Sequence, residues 1–89
     1  MISLPVELTQ AQAARCLITM QEILSSDTAT VTVVDGAALA RFDSSALAVL
    51  LELRRQCKSA GKQFAVAHLP EQLMKLAGLY GIGEFLPAA

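Results

Sequence analysis

Apolar positions recur along the chain with two periods. Between Ala13 and Leu24 they fall at Ala13, Leu17, Met20 and Leu24, one helical stripe widened by Cys16 and Ile23. Thr9 and Gln12 precede it as T-x-x-Q, the pattern of a capping box, and Ser25, Ser26 and Asp27 end it in a polar turn. Thr30–Asp35 is rich in β-branched residues and predicts a strand, with Val31 and Val33 on one face and Thr30, Thr32 and Val34 on the other. Gly36 opens a loop that runs to about Phe42. A second helix is predicted over 44–60: Ala46, Leu50, Leu53, Cys57 and Ala60 face a sheet, and Ala48, Glu52, Arg55 and Ser59 face outward. Gly61 suits the left-handed position that closes such a helix.

Residues 63–67 read as a third strand. Pro70 suits the first position of a third helix, whose inward stripe is Leu73, Leu76, Ala77 and Tyr80, ended by Gly81. Upstream, residues 3–8 read as a short strand, with Pro5 at an edge or an end. The tail from Ile82 to Pro87 either packs back on the core or adds a short edge strand. Alternating strands and helices predict an α/β domain, at least part of its sheet parallel. The 89 residues suffice for one domain, spanning 1–89.

Composition narrows the function. Hydrophobic residues make up 54 % and charged residues 17 %, which excludes a disordered chain and leaves apolar surface over for a partner. A net charge of −1 offers no field for nucleic acid or an anionic membrane. The local cluster Arg54, Arg55, Lys58 and Lys62 offsets the dipole at a helix C-terminus. The longest apolar run, Ala46–Leu51, falls far short of the ~20 residues that span a bilayer. Met1–Leu8 lacks the basic and apolar regions of a signal peptide, so the chain is expected in the cytoplasm. Cys16 and Cys57 have neither metal-ligand nor C-x-x-C spacing and read as buried free thiols. His68 has no nucleophile or metal cluster to serve and reads as a surface or cap residue. Asp35 and Asp43 flank one loop and read as supports for turns and caps. No catalytic residue, metal site or cofactor is expected.

One segment carries a candidate site. Asp43-Ser44-Ser45 opens the second helix, beside unpaired backbone N–H groups and the positive end of the dipole. Asp43 or Ser44 can cap it, and a phosphate on Ser44 would add about two negative charges there. The first two turns, Ala46–Leu51, are apolar all round, so Ala48 and Leu51 point partly outward. Asp43, Ser44, Ser45, Ala48, Leu51, Glu52 and Arg55 are the candidate partner-binding residues, with Ser44 as a candidate phosphorylation site.

These residues resemble the STAS family, which includes the bacterial anti-anti-sigma factors. The family pattern is a strand ending in Asp, a short loop, then Asp-Ser-Ser-Gly-Leu at a helix start. Here it reads Val33-Val34-Asp35, then Asp43-Ser44-Ser45-Ala46-Leu47, with Ala46 in place of the glycine. Glu7-Leu8-Thr9 is similar to the family's Gly-Glu-Leu-Thr. Leu47–Leu53, Leu76–Ile82 and Phe85-Leu86-Pro87 resemble the branch of the family that serves phospholipid transport in Gram-negative bacteria. The resemblance implies a STAS fold: a small mixed sheet with about three helices mainly on one face. It also implies a non-enzymatic subunit whose partner is the cytoplasmic ATPase of an ABC transporter, touching the membrane only through that complex at the inner face of the inner membrane. Serine at position 44 is the form found in phosphorylated anti-anti-sigma factors and implies the alternative partner, an anti-sigma serine kinase.

Overall fold

The computed structural model describes residues 1–89. Its elements in chain order are β1 (Ile2–Ser3), β2 (Glu7–Leu8), α1 (Gln10–Ser26), β3 (Val31–Asp35), β4 (Arg41–Phe42), α2 (Ser45–Ser59), β5 (Gln63–Ala67), α3 (Glu71–Leu79) and a 3-10 turn, Gly83–Phe85. The architecture is α/β with three helices and a small sheet, compatible with the STAS fold. Where a mixed sheet is expected, every strand pair is parallel: β1-β3-β5 form one sheet and β2-β4 a second.

The expected strand over residues 3–8 is two strands in different sheets. Pro5 has no N–H to give a ladder, and the chain changes neighbour around it. Before it, Ile2 pairs with Val34, and the Leu4 N–H donates to the Asp35 carbonyl at 2.8 Å. After it, the Val6 carbonyl accepts from the Ala40 and Arg41 N–H groups, and Glu7 and Leu8 pair with Arg41 and Phe42. The segment read as loop up to Phe42 therefore contains a strand. Two residues are too few to show an alternating pattern.

Parallel register places Ile2, Val34 and Val66 on one face of the sheet, with Thr32 beside Phe64, and all five are buried. Against this face lie Met20 and Leu24 of α1, Leu50, Leu53 and Cys57 of α2, and Leu73 and Ala77 of α3, in one hydrophobic cluster. The inward stripe of α2 is as expected except for Ala60, which caps the helix and is exposed. In α1 Ile23 is exposed, and in α3 Tyr80 lies past the helix end, so neither joins the core. Cys57 is fully buried, Cys16 only partly, and both are free thiols.

Two helix ends are set by glycine. Gly61 (φ 73°) and Gly81 (φ 72°) adopt the left-handed conformation that closes α2 and α3. Each sits in a paired hydrogen-bond motif: the Lys62 N–H donates to the Cys57 carbonyl and the Ile82 N–H to the Ala77 carbonyl. The tail fulfils both expectations, because Leu86 is buried while Ala88 bridges to Val66 along the open edge of β5. The four clustered basic residues have separate uses. Arg55 pairs with Glu52, Arg54 stacks on Phe85, Lys62 donates to the Asp27 carbonyl, and Lys58 remains in the last turn of α2.

Thr32 breaks the pattern of the core. It is 1 % exposed and its hydroxyl has no hydrogen-bond partner. An unpaired buried hydroxyl costs about 1–3 kcal/mol. Thr32→Val replaces it with a methyl of similar size, and is expected to raise the melting temperature by about 4–8 °C per kcal/mol recovered. A lower melting temperature in calorimetry would mean that the hydroxyl has a partner after all.

Candidate functional site

The Asp43–Ser45 segment owes its setting to the β2-β4 pair. Leu8 lies opposite Phe42 in parallel register, and a helix starts two residues after Leu8 and three after Phe42. The N-termini of α1 and α2 are thereby brought side by side. Asp43 stands between them. Its Oδ1 accepts from the Ser45 N–H at 2.8 Å and its Oδ2 from the Gln10 N–H at 3.1 Å. These two bonds, Ser45 first, hold the Asp43 carboxyl below the usual carboxylate range. Two helix dipoles point their positive ends at the same anion.

Of the two residues expected to be able to cap α2, the cap is therefore Asp43 and not the Ser44 hydroxyl. Ser44 is already in helical conformation (φ −62°, ψ −16°) and its side chain makes no cap bond. In that conformation its hydroxyl does not reach the following N–H groups, which favour an acceptor one residue earlier. The N–H groups that follow Ser44 are occupied: Ser45 N–H bonds to the Asp43 carboxylate, Ala46 N–H to the Asp43 carbonyl, and Leu47 and Ala48 N–H to the Ser44 carbonyl. A phosphate on Ser44 would find the N–H groups of residues 45–48 already bonded and would face the Asp43 carboxylate. Ser44→Ala is accordingly expected to change the melting temperature by less than about 2 °C, whereas Asp43→Ala, which frees two N–H groups, lowers it by several degrees. Equal melting curves for the two variants would contradict this assignment.

Ser44 and Ala48 are exposed, and Ser45, Leu51 and Glu52 half-buried. Arg55 is exposed and forms a fork with Glu52, its Nε donating to Oε2 at 3.0 Å. That pairing, followed by a bond from Gln56, pulls the Glu52 carboxyl down to about 2. Ser44, Ala48, Leu51 and Arg55 thus form a single stripe along α2, spaced four, three and four residues apart. Ala46 and Leu47, by contrast, are core residues. The Ala46 methyl is fully buried, so the residue that replaces the family's glycine is accommodated by packing.

Sequence reasoning missed Gln10. The Thr9–Gln12 pattern locates the start of α1, and Gln12 Oε1 does accept from the Thr9 N–H at 2.8 Å. Nothing in that pattern signals that the same helix end meets Asp43. The other flanking carboxylate, Asp35, supports a turn as expected. It accepts from the Ala37 N–H at 3.1 Å and lies 3.0 Å from His68 Nδ1. The His68 contact, then that of Ala37, lowers the Asp35 carboxyl. His68 itself is exposed and adopts φ 56°, a left-handed turn conformation uncommon for a residue with a side chain.

These shifts set an acid limit. The Asp27, Asp35, Asp43 and Glu52 carboxyls are all lowered in the fold. Their contribution is present above the unfolded-chain pKa of about 4 and is lost as pH falls through the lower folded values. The melting temperature is expected to hold steady from pH 7 to about 5 and to drop below pH ~4. A melting temperature that rises on acidification would refute it.

No group of three or more histidine, cysteine or acidic residues is placed to hold a metal ion, and no helix is long and apolar enough to cross a membrane. No curated protein matches the chain. The sequence profile of the family described as "Mlab, STAS domain" matches residues 1–87. That match runs through every strand and helix of the fold, and the chain belongs to this STAS domain family.

Proposed function

We propose that the chain is a non-enzymatic accessory subunit that binds the cytoplasmic ATPase of an ABC-type phospholipid transporter, one that maintains outer-membrane lipid asymmetry. The observation that carries this reading is the family match over residues 1–87, whose description is of the Mla type. The α2 tip supports it. A free hydroxyl at Ser44, the exposed Ala48 and the half-buried Leu51 lie on one stripe beside the fixed Glu52–Arg55 fork. Such a patch needs no chemistry to act. Binding to the folded ATPase stabilises its assembled state by mass action. The subunit works in the cytoplasm and meets the inner membrane only through its partner. Affinity capture of the native protein from cells is expected to recover an ABC ATPase. Recovery of other proteins without one would overturn the proposal.

One observation favours a second reading. The Ser44 hydroxyl is exposed and unbonded, hence open to a serine kinase, as in a phosphorylation-regulated anti-anti-sigma factor. The added charge would repel Asp43 and alter the tip without unfolding α2. Intact-mass measurement after treatment with a cognate kinase and ATP separates the readings. A phosphate gained by the native chain and absent from Ser44→Ala supports the switch. No gain in mass excludes it.

A further inference from the structure

The N-terminal strands leave one edge of backbone open. β1 pairs only with β3, and β2 only with β4. At the far side of the larger sheet the tail already lies along β5, where the Ala89 N–H donates to the Val66 carbonyl. Backbone polar groups alternate in direction along a strand. The Leu4 N–H turns in to Asp35 and the Val6 carbonyl turns in to Ala40 and Arg41, so those of Ser3, Pro5 and Glu7 turn outward. No turn or loop hydrogen bond takes them up. Pro5 has no N–H, so the edge offers the N–H groups of Ser3 and Glu7 and the carbonyls of all three residues.

The same three residues form one wall of an open-sided groove of about 330 Å³. Its other wall is a flank of α1 that carries Cys16, Thr19, Met20 and Ile23. Ile23, whose helical spacing predicts a core position, is 44 % exposed because it faces this groove. The groove has two charged side chains, one of each sign. Glu7 accepts from Gln12 Nε2 at 3.2 Å, and Arg15 has no ion pair. An apolar trough without net charge therefore runs beside an unpaired peptide edge.

That combination selects the occupant. An acyl chain or a small apolar molecule would fill the trough and cover the edge groups without pairing them, which is costly. An extended peptide satisfies both, with its backbone on the edge and alternate side chains against α1. A second copy of this chain fits poorly. Pairing the full edge with itself about a two-fold axis sets Pro5 against Pro5, where neither strand has an N–H to give. An edge proline and a bend, here at Val6, both discourage association between copies.

We infer that the Ser3–Glu7 edge and the adjoining flank of α1 form a docking site for a short extended segment of a partner protein, uncharged and apolar at alternate positions. The site is independent of whatever the α2 tip binds. The experiment follows backbone amide shifts of the 15N-labelled full chain with three probes. These are a capped hexapeptide alternating valine with threonine, the same peptide N-methylated throughout, which keeps the side chains but cannot donate to the edge, and decanoate. The first peptide is expected to shift Ser3, Glu7, Cys16, Thr19 and Ile23. It also slows alkylation of Cys16, read by intact mass, since Cys57 is fully buried and does not compete. The methylated peptide binds about tenfold more weakly or worse. Thr19→Arg, an exposed position whose longer side chain fills the groove, weakens the first peptide by a similar factor and leaves the melting temperature unchanged. Equal binding of the two peptides, the same shifts with decanoate, shifts elsewhere, unslowed alkylation, full binding by Thr19→Arg, changes on dilution of the free protein, or no shift with any probe would each overturn the inference.

Discussion

Leu50→Ala is expected to remove about 2–5 kcal/mol of folding stability. Leu50 is fully buried in the middle of α2, in the same cluster as Val34, Phe64 and Leu73. Truncation takes away the transfer energy of the lost methyl groups and leaves a hole that a close-packed core does not fill. A domain of this length has total stability on the order of 4–13 kcal/mol, so the variant stands near the limit of folding at 37 °C. Urea denaturation followed by circular dichroism measures the loss directly. Ala48→Ser, two residues earlier on the exposed side, is the control and should stay within about 0.5 kcal/mol of the native chain. A Leu50→Ala loss below 1 kcal/mol would mean that α2 packs less tightly than its burial indicates.

The second large effect is on binding. Leu51 is half-buried at the border of the α2 stripe. Under the proposed function, its exposed part is desolvated by the partner together with Ser44 and Ala48. Leu51→Glu would place a carboxylate in that contact, beside the Glu52 carboxyl, whose own cation Arg55 is already committed to it. Association with the ATPase is expected to weaken about 30-fold or more, the range of a central interface residue, while stability changes by less than about 1 kcal/mol. Calorimetric titration paired with melting curves separates the two effects. If the fall in stability matches the fall in affinity, Leu51 belongs to the core and the interface must be drawn elsewhere. Ser44→Ala sharpens the comparison, because its hydroxyl does not cap α2. Any loss of affinity in that variant reports contact alone.

The Asp43 arrangement ties these effects together. Its carboxylate bonds two helix N-termini, so the α2 tip cannot move without disturbing α1. That linkage explains how a patch on about three turns of helix can be held in place in so small a domain. Part of the ordering entropy of a docking surface is already spent on folding.

The elements with long periodic patterns were legible from the residues alone. The five-residue strand over 63–67 matches its expected bounds, and α2 begins and ends within one residue of the expected span. Glycine at 61 and 81 marks two helix ends because only the left-handed conformation closes them without strain. Apolar spacing likewise identified Leu50, Leu53, Cys57, Leu73 and Ala77 as inward, since a helix repeats every 3.6 residues whatever it packs on. The Asp-Ser-Ser motif located the α2 tip.

Features that depend on distant pairing were decided only by the tertiary structure. Residues 3–8 divide at Pro5 because β3 and β4 draw its two sides into different sheets, and no local pattern encodes which neighbour each side takes. Arg41–Phe42 is a strand only because Glu7–Leu8 lies beside it. The choice of Asp43 over Ser44 as cap follows from where the chain enters α2, and its second bond, to Gln10, joins groups 33 residues apart. Local sequence determines backbone preference and the inward face of each helix. It does not determine hydrogen bonds whose two halves are brought together only when the sheets have formed.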